Sequence, residues 1–313
     1  MVESKNSWKA WLYLSPAIVL LLIFTAWPII NTLYMSVMEG YDSSRALKGE
    51  TFIFGFDNFR QVVAFSDFTA CLKNTLLLCV LTVPISTGLA LLIAVCLNSI
   101  KPLQRFLQTI FFLPYVTNSI AIGMVFSAMF NIVGSFLGTE NQIISNAGII
   151  NNFLGLFGVE PINWISAGSP YWANITVLTI YIVWDALPFK ILILLGGLQS
   201  INKQYYDAAK VDGTSRVRVF SRITVPLLSP MLAYVIITSF IGGFKEYTSI
   251  VGIFGADMAP AASMHTLNTM VGYIYDNIDR NQGRASAAAL ILFAIIFAVT
   301  MVNLYVSKKK THY

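Results

Sequence analysis

Tyr206-Asp207-Ala208-Ala209-Lys210-Val211-Asp212-Gly213, followed nine residues later by Ile223-Thr224-Val225-Pro226, is a charged passage inside an otherwise apolar chain. Apolar runs flank it closely, at 171–198 and 227–253. Tyr206, Ala209 and Lys210 recur at helical spacing, which predicts a short helix with one packed and one wet face. Ser200 or Asn202 can cap its start, and Gly213 is placed to end it in the left-handed conformation. Thr214 or Ser215 can cap a second helix over 216–222, with Pro226 marking an expected turn back into the next apolar run. Two readings stay open on these residues alone. The passage is either an interfacial helix-turn-helix held at lipid headgroups by its Arg and Lys, or a surface on which another chain docks. The small Ala208 and Ala209 would let such a chain approach the backbone closely.

Outward from this passage, composition places the chain in a membrane. Of 313 residues, 56% are hydrophobic and 11% charged, against about 25% charged in soluble domains. A membrane span takes about 20 apolar residues. Six runs qualify, at about 11–36, 72–97, 106–132, 171–198, 227–253 and 284–306, with a loop at 199–226. The expected fold class is therefore all-α, one polytopic transmembrane domain over 1–313 with six transmembrane helices. The first run is too long for a signal-peptide core and lacks a small-residue cleavage site, so it reads as a retained span, kinked at Pro28. The third carries Pro114 near its start. The Gly- and Asn-rich segment 133–170 reads as short surface helices, and its Gly134–Gly138 GxxxG falls in a loop rather than in a span.

Charge sets the orientation. With the N-terminus inside, inner segments hold Lys5, Lys9, Lys101, Arg105, Lys203, Lys210, Arg216, Arg218, Arg222 and Lys308 to Lys310. Outer segments hold Arg45, Lys48, Arg60, Lys73, Arg280 and Arg284, half as many in longer loops. The bias predicts both termini in the cytoplasm, and with them the helices between spans four and five. Several chemistries are missing. No G-x-x-x-x-G-K-[ST], H-E-x-x-H or G-x-S-x-G occurs, and the histidines are His265 and His312. Cys71, Cys79 and Cys96 sit in or beside one apolar run without CxxC spacing. No catalytic or metal-ligating residue is assigned, and nothing points to nucleic acid.

The order Asp207-Ala208-Ala209, Gly213, Ile223-Thr224-Val225-Pro226 resembles the Glu-Ala-Ala…Gly…Ile-x-Leu-Pro loop of binding-protein-dependent ABC importer permeases. Asp207 stands where that motif has Glu and Val225 where it has Leu; the spacing matches throughout. Gly55-Phe56-Asp57-Asn58-Phe59, Lys73-Asn74-Thr75-Leu76, Phe111-Phe112-Leu113-Pro114 and Leu198-Gln199-Ser200-Ile201 extend the likeness across nearly the whole chain. They look like the carbohydrate branch, similar to the larger permease of the maltose importer, without its extra N-terminal spans and periplasmic insertion. The resemblance implies a coupling helix at Tyr206, Asp207, Ala208, Ala209, Asp212 and Gly213, with Pro226 closing the loop. It implies a multi-pass subunit of a bacterial plasma membrane, surrounded by lipid, that works with a second homologous permease chain. Two cytoplasmic ATPase subunits and an extracellular sugar-binding protein would complete the machine. The chain itself would bind no cofactor, and ATP and Mg would sit on the partner ATPase. The cargo would be a sugar, most simply an oligosaccharide. A glycerol phosphodiester or polyamine importer is the alternative, then a secondary transporter working without ATP or a membrane enzyme.

Four ionisable residues fall in or at the edge of spans: Asp185, Lys190, Lys245 and Glu246. Charges there are costly and mark either function or a structural pair. Asp185 with Lys245 or Lys190 could pair between spans, line a substrate path, or do both. Pro188 would break its helix locally, and Gly242-Gly243 would loosen the next span. Matched by motif to the maltose-type permease, the sugar contacts would be Asp185, Ala186 and Phe189 before the loop, and Ile241, Phe244, Lys245 and Thr248 after it. Asp185 and Lys245 stand where uncharged residues are expected, so the resemblance does not carry over the identity of the sugar.

Overall fold

In lipid, every backbone donor and acceptor must find a partner within the chain, so long apolar runs become helices. The computed structural model describes residues 7–100, 104–134, 145–260 and 265–310; Lys5, Lys101, Gly138 and His312 lie outside them. In chain order the helices begin with α1 (Trp8–Val37), α2 (Asp57–Ala64), α3 (Ser66–Ser99), α4 (Phe106–Val116) and α5 (Ser119–Phe130). They continue with α6 (Ile149–Gly155), α7 (Tyr171–Ser200), α8 (Lys203–Val211), α9 (Arg216–Phe244), α10 (Thr248–Phe254), α11 (Met270–Ile278) and α12 (Gln282–Lys310). Among the described residues, α1, α3, α7, α9 and α12 are long and apolar enough to cross a membrane. The pair α4 and α5 makes a sixth span if its bend of 97° is a break within one crossing.

That bend departs from the straight third span expected at 106–132. Pro114 takes a backbone donor out of the ladder, and the chain passes through a 3₁₀ turn at Leu113–Val116. Asn118 then starts a new helix, its side chain accepting from the amides of Ile120 and Ala121 at 2.9 and 3.1 Å. A second departure lies in the segment expected as short helices. Ile132–Gly134 (β1) and Ser145–Ala147 (β2) pair antiparallel, Ile132 opposite Ala147, before α6.

Pro226 does not turn the chain. Helix α9 runs from Arg216 through Pro226 to Phe244 without interruption. Its turn at Phe220–Thr224 is π-helical, and the proline follows two residues later. The same arrangement recurs in α1, where a π-helical Leu22–Ala26 precedes Pro28. A proline ring clashes with the carbonyl four residues back. Those carbonyls belong to Arg222 and Phe24, each inside a wide π turn that makes room for the ring. Pro188 is likewise accommodated, since α7 runs through it unbroken from Tyr171 to Ser200. The fifth apolar run breaks instead at Lys245–Tyr247, before α10.

The chain divides into two compact units. The first comprises the chain up to Thr69 with Gly272–Ala294. Asn58 is buried there and donates to the carbonyls of Ser36 and Met38 at 3.0 and 2.8 Å, so one residue of the Gly55–Phe59 motif closes the end of α1. Gln282 exchanges hydrogen bonds with Ser43, and Arg284 donates to Gln61 at 2.7 Å while lying 4.7 Å from the Phe65 ring centroid.

The second unit comprises Ala70–Val271 and the chain from Ile295. Its centre is α7, whose Val177, Leu178, Tyr181 and Leu194 are fully buried. Tyr181 packs edge-on to Phe126 at 4.9 Å, and Leu194, Leu195 and Leu198 pack with Ala90, Ala94, Leu228 and Val235. Small residues bring the helices close, as in other membrane interfaces. A Cβ added to Gly123 of α5 would lie 2.7 Å from Gly252 Cα of α10, and one added to Gly197 would lie 2.6 Å from Leu228 Cδ1. Asn74 of α3 donates to the carbonyls of Thr266 and Asn268 at 3.0 and 2.9 Å and accepts from Tyr171 at 2.7 Å. Its neighbour Thr75 accepts from the amide of Met270 at 3.0 Å. The Lys73–Leu76 motif thus ties down residues 265–270.

Candidate functional site: a polar cavity among membrane helices and a surface helix beside it

Polar side chains on apolar helices need somewhere to point. Thr82, Ser86, Asp185, Lys190, Thr238, Ser239 and Glu246 all line one cavity of about 400 Å³, within the usual range of ligand pockets. Helix α3 supplies Thr82, Val83 and Ser86; α7 supplies Ile182, Asp185, Ala186, Phe189 and Lys190. The end of α4 supplies Tyr115 and the start of α5 Ser119, and α9 with the break after it supplies Thr238, Ser239, Gly242, Gly243 and Glu246. Tyr115 stacks on Phe189, centroids 6.0 Å apart and planes within 18°.

Asp185, Ala186 and Phe189 therefore share this wall, as successive faces of one helical turn. Ile241, Phe244, Lys245 and Thr248 do not line it. Phe244 is buried elsewhere in the packing, and Lys245 is exposed. Helix α9 turns the opposite face inward, at 238, 239, 242, 243 and 246, because Gly243 sits against α3: a Cβ there would meet Cys79 Sγ at 2.8 Å. Motif matching transfers positions along a span, whereas rotation about its axis is fixed by such small-residue contacts.

Lys190 is 5% exposed. Its ammonium donates to Ser86 Oγ at 2.6 Å and to Thr87 Oγ1 at 3.4 Å, and Ser86 passes the chain on to the carbonyl of Thr82. Among the described residues the ion pairs are Arg45–Glu50 and Lys210–Asp207. The pairing of Asp185 with Lys190 or Lys245 is not formed. Sequence reasoning placed only Asp185, Ala186 and Phe189 of this lining among the sugar contacts; Tyr115, Ser119, Glu246 and the residues from α3 are among those it left out. The sequence did carry a sign of Glu246, a charge at the edge of a span. Tyr115 reached the cavity only through the unforeseen bend.

Beside α7, the helix α8 has the start and stop expected. Asn202 caps it by accepting from the Gln204 amide at 3.0 Å. Gly213 has φ +63°, and the amides of Gly213 and Thr214 donate to the carbonyls of Lys210 and Ala209 at 3.1 and 3.0 Å. These two bonds close a Schellman motif. Ser215 precedes the next helix without a side-chain cap. Tyr206 turns inward, its hydroxyl 3.3 Å from Thr224 Oγ1 in the π turn of α9, and Ala209 is buried. Asp207 pairs with Lys210 at 3.5 Å on the exposed side. Ala208, Ala209 and Asp212 line a cleft of about 390 Å³ with Tyr205, Thr214 and Ile223. Pro226 lies outside this cleft, inside α9. Val211 and Val217 are 88% and 78% exposed.

Residues 86–312 match the family described as the binding-protein-dependent transport system inner membrane component. The chain belongs to that family. It is thus a multi-pass inner-membrane component of a bacterial transport system. It is 30% identical over 298 residues to the lactose transport system permease protein LacF of Rhizobium radiobacter, covering 94% of this chain and 91% of that one. It is 29% identical to the arabinooligosaccharides transport system permease protein AraP of Halalkalibacterium halodurans, covering 96% and 89%. A solved bacterial ABC transporter involved in the import of the acidic polysaccharide alginate has a chain of the same fold. Its TM-score is 0.77 at 21% identity, covering 98% of each chain.

Proposed function

We propose that the chain is a permease subunit of an ATP-driven ABC importer for a sugar, most simply an oligosaccharide. The observation that carries this reading is the cavity on α7, with hydroxyls and carboxylates beside the stacked rings of Tyr115 and Phe189. Hydroxyls and carboxylates meet sugar hydroxyls, and aromatic faces meet the C–H face of a sugar ring. The membrane relatives named for lactose and arabinooligosaccharides support the cargo class.

In this proposal the chain forms half of the pathway and a second permease chain forms the rest. Both termini and α8 face the cytoplasm, where α8 and the start of α9 dock on an ATPase subunit. An external sugar-binding protein delivers cargo to the outer loops. The chain is not an enzyme and holds no cofactor of its own. Two ATPase subunits bind ATP and Mg, and their closure moves α8 with the spans it joins as a rigid body. Among the alternatives, a phosphodiester cargo fits less well, since Lys190 is the one cation among the described lining residues.

The test is uptake into proteoliposomes holding the whole transporter, with binding protein outside and ATP inside. The expected result is accumulation of labelled oligosaccharide that stops without ATP. Accumulation that continues without ATP would refute the reading.

A further inference from the structure

Four of the hydroxyls that line the cavity, all on α3 and α9, have already committed their protons. Thr82 donates to the Leu78 carbonyl at 2.7 Å, Ser86 to that of Thr82, Thr238 to that of Tyr234 at 2.8 Å and Ser239 to that of Val235 at 2.5 Å. Each bonds back to the preceding turn of its own helix. A hydroxyl has one proton and two lone pairs, so what these four leave for a guest is acceptor capacity. The carboxylates add to it. Asp185 has no hydrogen-bond or ion-pair partner among the described residues, and Glu246 accepts from the Ser249 amide at 3.2 Å, from the Ser249 hydroxyl and from the Tyr247 amide. Lys190, the one cation among the described lining residues, donates to Ser86 and Thr87. Two carboxylates against one ammonium leave a formal excess of negative charge. Such a wall repels an anionic sugar, which would bring further acceptors and further negative charge. It favours a guest rich in donors, and a cationic donor most, because charge attraction strengthens away from bulk water.

We propose that the cavity takes an amino sugar with a free, protonated amine, which Asp185 and Glu246 receive. The stacked Tyr115 and Phe189 lie on the same wall and offer an apolar surface to the ring. This rests on the reading of the chain as a sugar importer and adds the charge of its cargo. The specificity-determining groups are the two carboxylates, neither of which is held by an ion pair.

The experiment measures binding to the detergent-purified transporter, both permease chains and both ATPase subunits, without the binding protein. Four probes are compared: a β-1,4-linked glucosamine dimer, its di-N-acetylated neutral form, a galacturonic acid dimer and spermidine. The expected order is the amine dimer over the neutral dimer by about tenfold or more, with the acidic dimer unbound. Asp185→Asn with Glu246→Gln keeps size and hydrogen bonding while removing charge. In that variant the preference for the amine dimer over the neutral dimer should collapse. Equal affinity for the amine and neutral dimers, or a preference that survives in the variant, overturns the charge proposal and leaves the sugar reading standing. Binding of spermidine with no sugar bound overturns the sugar reading and this proposal together. No binding of the amine dimer likewise overturns the proposal.

Discussion

Gly213 allows the junction of α8 and α9 to be tested by backbone strain alone. Its φ is +63°, and a Cβ added there would meet nothing within 4 Å. A Cβ therefore clashes with no neighbour; the cost is that of holding an L-residue in the left-handed region, about 1–2 kcal/mol. Asn tolerates that region better than Ala, and a β-branched residue tolerates it worst. The expected order of retained function is Gly, Asn, Ala, Val. The cost falls on the two bonds that end α8, from the Gly213 and Thr214 amides. If the ATPase requires this corner intact, about 1.4 kcal/mol weakens docking about tenfold. Gly213→Ala should thus lower ATPase co-purification and ATP-dependent uptake by about tenfold. Gly213→Asn should lower them less, and Gly213→Val should abolish both, all with unchanged amounts of the chain in the membrane. The assay pairs pull-down of the ATPase with uptake and membrane quantification. Equal behaviour of the Asn, Ala and Val variants would refute the argument, because strain predicts a graded series.

Asn74→Ala removes two donated hydrogen bonds and strands the Tyr171 hydroxyl. It should lower the thermal stability of the solubilised chain by about 2–4 kcal/mol, read by a thiol-reactive unfolding dye; an unchanged midpoint would show that residues 265–269 hold without it. At the N-cap of Ser43–Ala46, the Asp42 carboxyl is held below its ordinary value, first by the Ser44 hydroxyl and then by the Ser44 amide. A depressed folded-state value means the cap contributes fully above the ordinary aspartate range and is lost as pH falls through the folded-state value. Protection of the Ser44 and Arg45 amides, the exchange rate compared with the intrinsic rate at the same pH, should fall as the medium becomes more acid than that range, and Asp42→Asn should remove this fall.

Features set by local backbone chemistry were legible in the sequence. Gly213 ends α8 because only a residue without Cβ takes φ +63° freely, and Asn202 caps it because its short amide reaches the second amide ahead. Asp185, Ala186 and Phe189 reached one wall because α7 runs straight through Pro188. Features set by partners across the structure were not legible. Whether a proline breaks a helix depends on the turn before it: Pro226 and Pro28 follow π turns and are absorbed, while Pro114 enters a 3₁₀ turn and a bend. Which face of α9 looks inward depends on Gly243 meeting Cys79, a contact 164 positions apart in sequence and invisible to any local pattern. That rotation moved Glu246 into the lining and Lys245 out of it.

The unbroken α9 has a mechanical consequence. From Arg216 to Ser239 a continuous helix spans about 35 Å at 1.5 Å per residue. Had the chain hinged at Pro226, motion of its outer end would be spent in flexing the joint. A stiff rod transmits it: a tilt of about 5° about one end displaces the other by about 3 Å, the length of a hydrogen bond. Such a lever is long enough to change which oxygens of Thr238 and Ser239 a guest in the cavity can reach, without bending any helix.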